Sequence, residues 1–309
     1  MAASSLRTLD DPTPESLLIS MTAPTSLPVL DVPELLRRYG LRPDKSLGQN
    51  FLIDEAALHC VVEAAGIEAG DEVLEIGPGL GGLTRHLAAC ARQVVAVELD
   101  GDLLPPLREV LIPHPNVRLV HGDILALDPA KWMTSAGYLV VANIPYYITS
   151  ALIRHLLEAR YPPRRLVLTV QREVAERITA APGEMSLLAL SVQLYGQPRI
   201  VAHIPAGAFY PAPKVDSAVI RTDLYPAPLI PHARIPTFFR LAKAGFSQKR
   251  KTLRNALSAG LACSPVQAEQ LLRSAGIDPQ RRAETISLAE WGQLVAVYAP
   301  TVRSIGERR

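Results

Sequence analysis

The sequence predicts an α/β protein, a doubly wound parallel sheet followed by a small basic helical domain. Three observations carry that reading. From Gly70 to about Ala180, short apolar runs alternate with amphipathic stretches. Four closely spaced prolines, Pro226, Pro228, Pro231 and Pro236, then interrupt the pattern, and three helical periods follow them. Strands that are apolar throughout need cover on both faces, which crossover helices supply. The chain has 309 residues, 48% hydrophobic and 20% charged, enough to bury a substantial core, which excludes a fibrous or mostly disordered protein.

Taken in order, residues 73–76 read as a strand, 83–91 as a helix and 94–98 as a second strand. Residues 102–110 fit a helix with Pro105 and Pro106 near its start, where proline is tolerated. Strands are expected at 117–120, 139–142 and 166–170, with helices at 149–160, 173–180 and 186–195. Two further strands, 199–204 and 215–224, flank a proline-rich loop. Beyond the linker, periodicity predicts helices over 238–259, 265–275 and 288–298. These runs divide the chain into a Ser-, Thr- and Pro-rich extension over 1–30, expected to be disordered, an α/β domain over 31–226 and a helical domain over 231–309. Met21 is a second possible start of translation.

The net charge of +2 conceals an asymmetry. Residues 231–309 hold thirteen bases and five acids, a net +8, which leaves −6 for residues 1–230. Clustered bases are the electrostatic footprint of a polyanion such as RNA, although a solvated helix face gives the same composition. Lys249, Arg250, Lys251 and Arg254 fall within the expected helix 238–259, and the i, i+4 spacing of Arg250 and Arg254 places those two on one face to meet phosphates. Cys60, Cys90 and Cys263 lie far apart, without C-x-x-C spacing or a neighbouring His pair, so neither a disulfide framework nor a metal site is expected and a reducing cytoplasm is. No apolar run approaches the roughly 20 residues of a membrane-spanning helix, and the N-terminus lacks the order of a signal peptide.

The first chemistry-bearing segment is Glu75-Ile76-Gly77-Pro78-Gly79-Leu80-Gly81-Gly82, between a strand and a helix. Glycines there let the backbone approach a ligand in front of a helix N-terminus. Gly77, Gly79 and Gly82 also satisfy G-x-G-x-x-G, with Glu98 about 20 residues on, so a dinucleotide site competes. Two acids tilt the reading toward a nucleoside pocket without a pyrophosphate: Glu75 inside the first strand, and Asp123, followed by Ile124, past the third. The second segment is Asn143-Ile144-Pro145-Tyr146-Tyr147, at the end of the strand 139–142. The lone pair of an exocyclic purine amine is delocalised into the ring. An Asn143 side-chain oxygen and a Pro145 carbonyl that each accept an N–H would free that lone pair for attack, with Tyr146 stacked on the base.

These segments, with Leu47-Gly48-Gln49-Asn50-Phe51-Leu52, Val97-Glu98-Leu99-Asp100, Gly122-Asp123, the run Val170 to Arg177, Ala208-Phe209-Tyr210-Pro211-Ala212-Pro213-Lys214-Val215-Asp216-Ser217 and the run Phe246 to Asn255, stand in one order. In that order the chain resembles the ribosomal RNA adenine dimethyltransferases, over about residues 41–298. The branch it is most similar to dimethylates two adjacent adenosines in the 3′-terminal hairpin of small-subunit (16S) rRNA. The resemblance implies a Rossmann-like class I methyltransferase sheet and S-adenosylmethionine as donor, with S-adenosylhomocysteine as product and no metal. It implies that Asn50 and Leu52 close over the donor's methionine end, that Gly77 and its loop pass beneath it, that Glu98 takes the ribose and that Asp123 takes the adenine amine. Gln49, Glu75, Gly79, Leu99 and Ile124 would be further donor-binding residues. Asn143 would touch both donor and target amine, and Phe209 would stack opposite Tyr146. The implied partner is small-subunit rRNA or the immature small subunit, met by a monomer. Where relatives carry a Tyr-Gly pair after Pro182-Gly183, this chain has Glu184-Met185-Ser186. A large-subunit methyltransferase of the macrolide-resistance type, a non-catalytic assembly factor and an NAD-dependent oxidoreductase are the competing functions.

Overall fold

A computed structural model describes residues 27–134, 136–144 and 149–305. The chain enters through α1 (Val32–Arg38), whose first turn is capped by the Asp31 side chain accepting the Glu34 N–H at 2.8 Å. The two-residue strand β1 (Phe51–Leu52) leads into α2 (Glu55–Ala65), bracketed by an Asp54 cap and by Gly66 in the left-handed conformation. All three elements are additions to those expected from sequence. Residues 1–26 of the expected extension lie outside the described residues. Pro28 and Leu30 already belong to the fold, since the Pro28 carbonyl accepts Arg85 Nη1 at 2.8 Å and Leu30 packs on α1.

From there the alternation of the sequence is realised. β2 (Glu72–Ile76) is followed by α3 (Gly82–Cys90), β3 (Gln93–Glu98), α4 (Leu104–Leu111) and β4 (Val117–His121). The chain then returns through β5 (Leu139–Asn143), α5 (Thr149–Leu157), β6 (Arg165–Gln171), α6 (Arg172–Ile178) and α7 (Leu187–Gln193). β7 (Gly196–Ile204), β8 (Phe209–Tyr210) and β9 (Ser217–Leu224) complete the strands. Seven strands form one sheet in the order β4-β3-β2-β5-β6-β9-β7, in which β4 to β6 are parallel and β9 runs antiparallel to both neighbours. The small pair β1-β8 stands apart from it.

Residues of β2 alternate between two cores. Val73 joins Leu58, Val61 and Leu87 of α2 and α3 on one face, while Leu74 and Ile76 join Leu152, Leu156 and Leu190 on the other. Every β2 position is buried for that reason. The strands from β2 lead outward to β3 and β4, and the chain then crosses back to lay β5 against the other side of β2. The connections therefore diverge between β2 and β5, and the crevice beyond their C-terminal ends is where a sheet of this kind takes a ligand. Glu75 and Asn143 sit at that edge.

The C-terminal region holds α8 (Ile235–Phe246), α9 (Leu253–Gly260), α10 (Pro265–Ser274) and α11 (Leu288–Ile305). The single helix expected over 238–259 is two. Ser247 Oγ donates back to the Ala244 carbonyl at 2.7 Å, and the first N–H groups of α9 turn to another segment, Leu253 N to Arg281 O at 2.7 Å and Arg254 N to Pro279 O at 3.2 Å. The helices then fold back closely. A Cβ on Gly260 would lie 2.6 Å from Ala244 Cα, so only glycine fits that crossing. The core does not stop at the linker, because Phe238, Leu257, Leu272 and Trp291 belong to the same hydrophobic cluster as Leu74 and Val140 of the sheet.

Candidate active site

The turn after β2 is made by backbone geometry. Gly77, Gly79 and Gly81 have φ of +71°, +58° and +84°, and no side chain caps α3. Gly79 has a second reason to be glycine, since a Cβ there would stand 2.8 Å from the Phe51 ring. β1 thus lies against the loop and walls a cavity of about 300 Å³. Gln49, Asn50, Leu52, Glu75, Gly77, Gly79, Glu98, Leu99, Asp123, Ile124 and Asn143 all line it. They come from the segment before α2 and from the ends of β2, β3, β4 and β5, so tertiary structure brings every residue singled out for the donor to one surface.

Each polar group there is held. Glu98 accepts the Gly79 N–H at 3.0 Å and the Asp100 N–H at 2.9 Å, which ties the glycine loop to the end of β3. Gln49 Nε2 donates to Asp100 at 2.6 Å, while its Oε1 accepts the Asp44 N–H at 2.8 Å. Asp123 Oδ1 accepts the Leu125 N–H at 2.9 Å and fixes the turn after β4. Asn143 Nδ2 donates to the Asn50 carbonyl at 3.0 Å, so the amide is oriented and its oxygen faces the opposite way. Ile124 is buried, whereas Leu99 is 48% exposed. An exposed large aliphatic group on a cavity wall is apolar surface that a ligand would cover.

Glu75 is the exception. Its Oε2 is buried without a hydrogen-bond partner. Burial pushes its carboxyl up to about 8, against a lowering contribution from the nearby Thr84 hydroxyl, and the Glu98 carboxylate raises it further. Burial also raises Glu98, partly offset by the Asp100 and Gly79 N–H groups. Two buried acids and an orphaned oxygen make a site complementary to cationic or hydrogen-bond-donating ligand groups.

The other expected site residues fall differently. Pro145 and Tyr146 lie outside the described residues. Phe209 is 4% exposed, opposite Leu52 in the β1-β8 pair, and packs in the core on the α2 side of the sheet rather than lining the cavity. Lys249, Arg250 and Lys251 are exposed on the turn between α8 and α9, not on a helix, so the expected helical face of Arg250 and Arg254 does not form. Arg254 is in α9 and paired with Glu269 at 3.2 Å. Lys249 and Lys251 instead line a second cavity, of about 580 Å³, with Arg177, Glu173, Glu184 and Phe246. Sequence reasoning did not assign Val32 or Leu103 to the first cavity. Neither belongs to a motif: Val32 comes from α1, and Leu103 from the turn between β3 and α4. Among the described residues the three cysteines are free, and no helix is long and apolar enough to cross a membrane.

Comparison with known proteins gives a consistent result. The family model of ribosomal RNA adenine dimethylase matches residues 41–299. A ribosomal RNA small subunit methyltransferase A of Dehalococcoides mccartyi (strain CBDB1) is 47% identical over 267 residues, 86% of this chain and 92% of the relative. One from Geobacillus thermodenitrificans is 42% identical over 280 residues, 87% and 96% of the two chains. Among solved structures, the 23S rRNA methyltransferase ErmE is similar with a TM-score of 0.65 and 31% identity, covering 80% of this chain and 99% of that one. A dimethyladenosine transferase from Plasmodium falciparum shares the fold with a TM-score of 0.70 at 24% identity, over 82% of this chain and 98% of the other.

Proposed function

The chain belongs to the ribosomal RNA adenine dimethylase family, and from that premise we propose that it transfers methyl groups from S-adenosylmethionine to N6 of two adjacent adenosines in the 3′-terminal hairpin of small-subunit (16S) rRNA. It would do so in the cytoplasm, as a monomer acting on the immature small subunit, with residues 31–226 holding the donor and 231–309 meeting rRNA. The observation that carries the reading is the cavity at the β2-β5 switch point, which gathers all eleven donor-site candidates and ends on an oriented Asn143.

The residues present fit the donor. The unpartnered Glu75 oxygen suits an ammonium, the Glu98 carboxylate the ribose hydroxyls, and Asp123 with Leu99 and Ile124 a flat heterocycle bearing an amine. Asn50 and Leu52 stand over the glycine loop, where they cover the methionine end. When bound, S-adenosylmethionine supplies an electrophilic methyl group on a sulfonium.

The chain's part is positioning. Asn143, its amide nitrogen spent on the Asn50 carbonyl, presents its oxygen to one N–H of the target amine, and the Pro145 carbonyl takes the other. The amine nitrogen then turns its lone pair toward the methyl carbon. Tyr146 and Phe209 bracket the extruded base, which requires the Phe209 ring to leave its core packing. Each transfer would form one N–C bond, break one S–C bond of the donor and release the amine proton to solvent, so the chain's residues need supply no strong base.

Small-subunit rRNA is favoured over large-subunit rRNA by the 40–47% identity to small-subunit relatives, against 31% to the 23S enzyme. The test is methyl transfer from labelled donor to separated, undermethylated small and large subunits, with Asn143→Ala as control. Label in dimethyladenosine of the small-subunit 3′ hairpin, lost in the variant, is the expected result. Label confined to large subunits would move the chain to the resistance branch, and none in either would leave an assembly factor.

A further inference from the structure

On α2 and α3 lies a cluster that the proposed methyl transfer does not use. Glu55 and His59 stand one turn apart on α2, and His86 faces them from α3. One ligand atom from each lies within 4.8 Å of the other two, and among the described residues they form the only such trio of His, Cys, Asp or Glu. His86 Nε2 is 3.2 Å from Glu55 Oε2, yet it is buried without an aligned hydrogen bond. The His59 and His86 rings meet edge to face, 5.0 Å between centroids.

We propose that Glu55, His59 and His86 bind one borderline divalent transition metal ion, with Zn²⁺ as the reference case, which pins α2 to α3. Two imidazoles and a carboxylate are a well-suited set for such an ion, and water fills the remaining position. With metal–ligand bonds of about 2.0–2.2 Å, a tetrahedral ion holds its ligand atoms roughly 3.3–3.5 Å apart. The Glu55–His86 pair, at 3.2 Å, is just short of that spacing. A His59 ring nitrogen lies within 4.8 Å of both, and Glu55 and His59 are partly exposed, where side chains have room to adjust. Arg85 is the opposing charge in this neighbourhood, with one guanidinium nitrogen spent on the Pro28 carbonyl. Two more of its nitrogens are buried without partners, and its positive charge opposes that of the ion and limits the affinity. The cluster is invisible to linear spacing, because His86 is 27 residues from His59 and reaches it only through helix packing.

The site adjoins the donor cavity through the chain. Leu52 precedes the cap of α2 and Gly82 opens α3, both line the cavity, and a Cβ on Gly82 would already be 3.3 Å from the Leu52 carbonyl. An ion that fixes α2 against α3 therefore fixes two walls of that cavity.

The test is calorimetric titration of Zn²⁺ into the chelator-treated full chain, beside His59→Ala and Glu55→Gln, whose partly exposed positions leave the buried core intact. The expected result is one saturable site per chain, weakened at least tenfold in each variant, and a Zn²⁺-dependent rise in the thermal midpoint that His59→Ala lacks. Absence of a saturable site would make the cluster an ion pair with a packed ring and overturn the proposal. Undiminished binding in His59→Ala would place the ion elsewhere on the chain, with the same consequence.

Discussion

Asn143 shows how little chemistry one residue must supply once its neighbours hold it. Its amide is oriented by the Asn50 carbonyl, so under the proposed reaction replacing it would remove an acceptor for the target amine and leave the rest of the cavity standing. Asn143→Ala is expected to lower single-turnover methyl transfer by about 10²–10³-fold, while S-adenosylhomocysteine affinity changes by less than about tenfold. Glu75 sets a pH dependence. Its folded pKa is raised to about 8, so it is neutral in the free protein at pH 7, and a ligand ammonium favours the ionised form. Affinity for S-adenosylhomocysteine should therefore climb as pH rises from 6 to 8.5, and the climb should flatten in Glu75→Gln. Stability runs the other way. A raised carboxyl stabilises the fold fully below its unfolded pKa and loses that contribution as pH rises through the folded one. The ligand-free protein should thus lose up to about 1.4 kcal/mol per pH unit on this account between those two values, a slope that denaturant melts of Glu75→Gln should lack.

Among the elements, those whose formation is local were legible and those decided by distant partners were not. β2, β3, β5 and β6 read directly from their apolar runs because both faces of each are covered. The signals for α2 are equally plain, an Asp54 cap, buried Leu58, Val61 and Ala65, and Gly66 at the end, although they carry no chemistry that draws attention to them. The break between α8 and α9 has no such signal. Phe246, Leu253 and Leu257 keep a helical period across it, and what stops the helix is the segment 279–281 taking the first N–H groups of α9. Phe209 is the site residue for which motif and packing differ most, since a ring placed in a family's stacking position rests in the core. The exposed turn gives an electrostatic prediction. Lys249→Ala, Arg250→Ala and Lys251→Ala combined should reduce the salt dependence of rRNA binding by up to about 0.7–0.9 in slope per lost phosphate contact, read by filter binding across a salt series, with S-adenosylhomocysteine affinity unchanged.

At the scale of the whole molecule, the sequence shows two compositions, an acidic sheet region and a basic helical one, and the fold joins them by a common core. Trp291 of α11 is fully buried in the cluster that also holds Leu74 and Val140. Trp291→Ala should cost about 3–5 kcal/mol, and denaturant unfolding followed at the sheet and at the helices should give coincident transitions that move together. The strand order was beyond sequence reasoning because pairing is non-local, yet that order creates the switch point on which the function rests. The donor cavity is where the account is most exposed. Its direct test is calorimetric titration of S-adenosylhomocysteine and of NADH into the wild type and Glu98→Ala. The expected result is one S-adenosylhomocysteine site per chain, at least about tenfold weaker in Glu98→Ala, and no heat from NADH. Saturable NADH binding, or an S-adenosylhomocysteine affinity indifferent to Glu98, would contradict it.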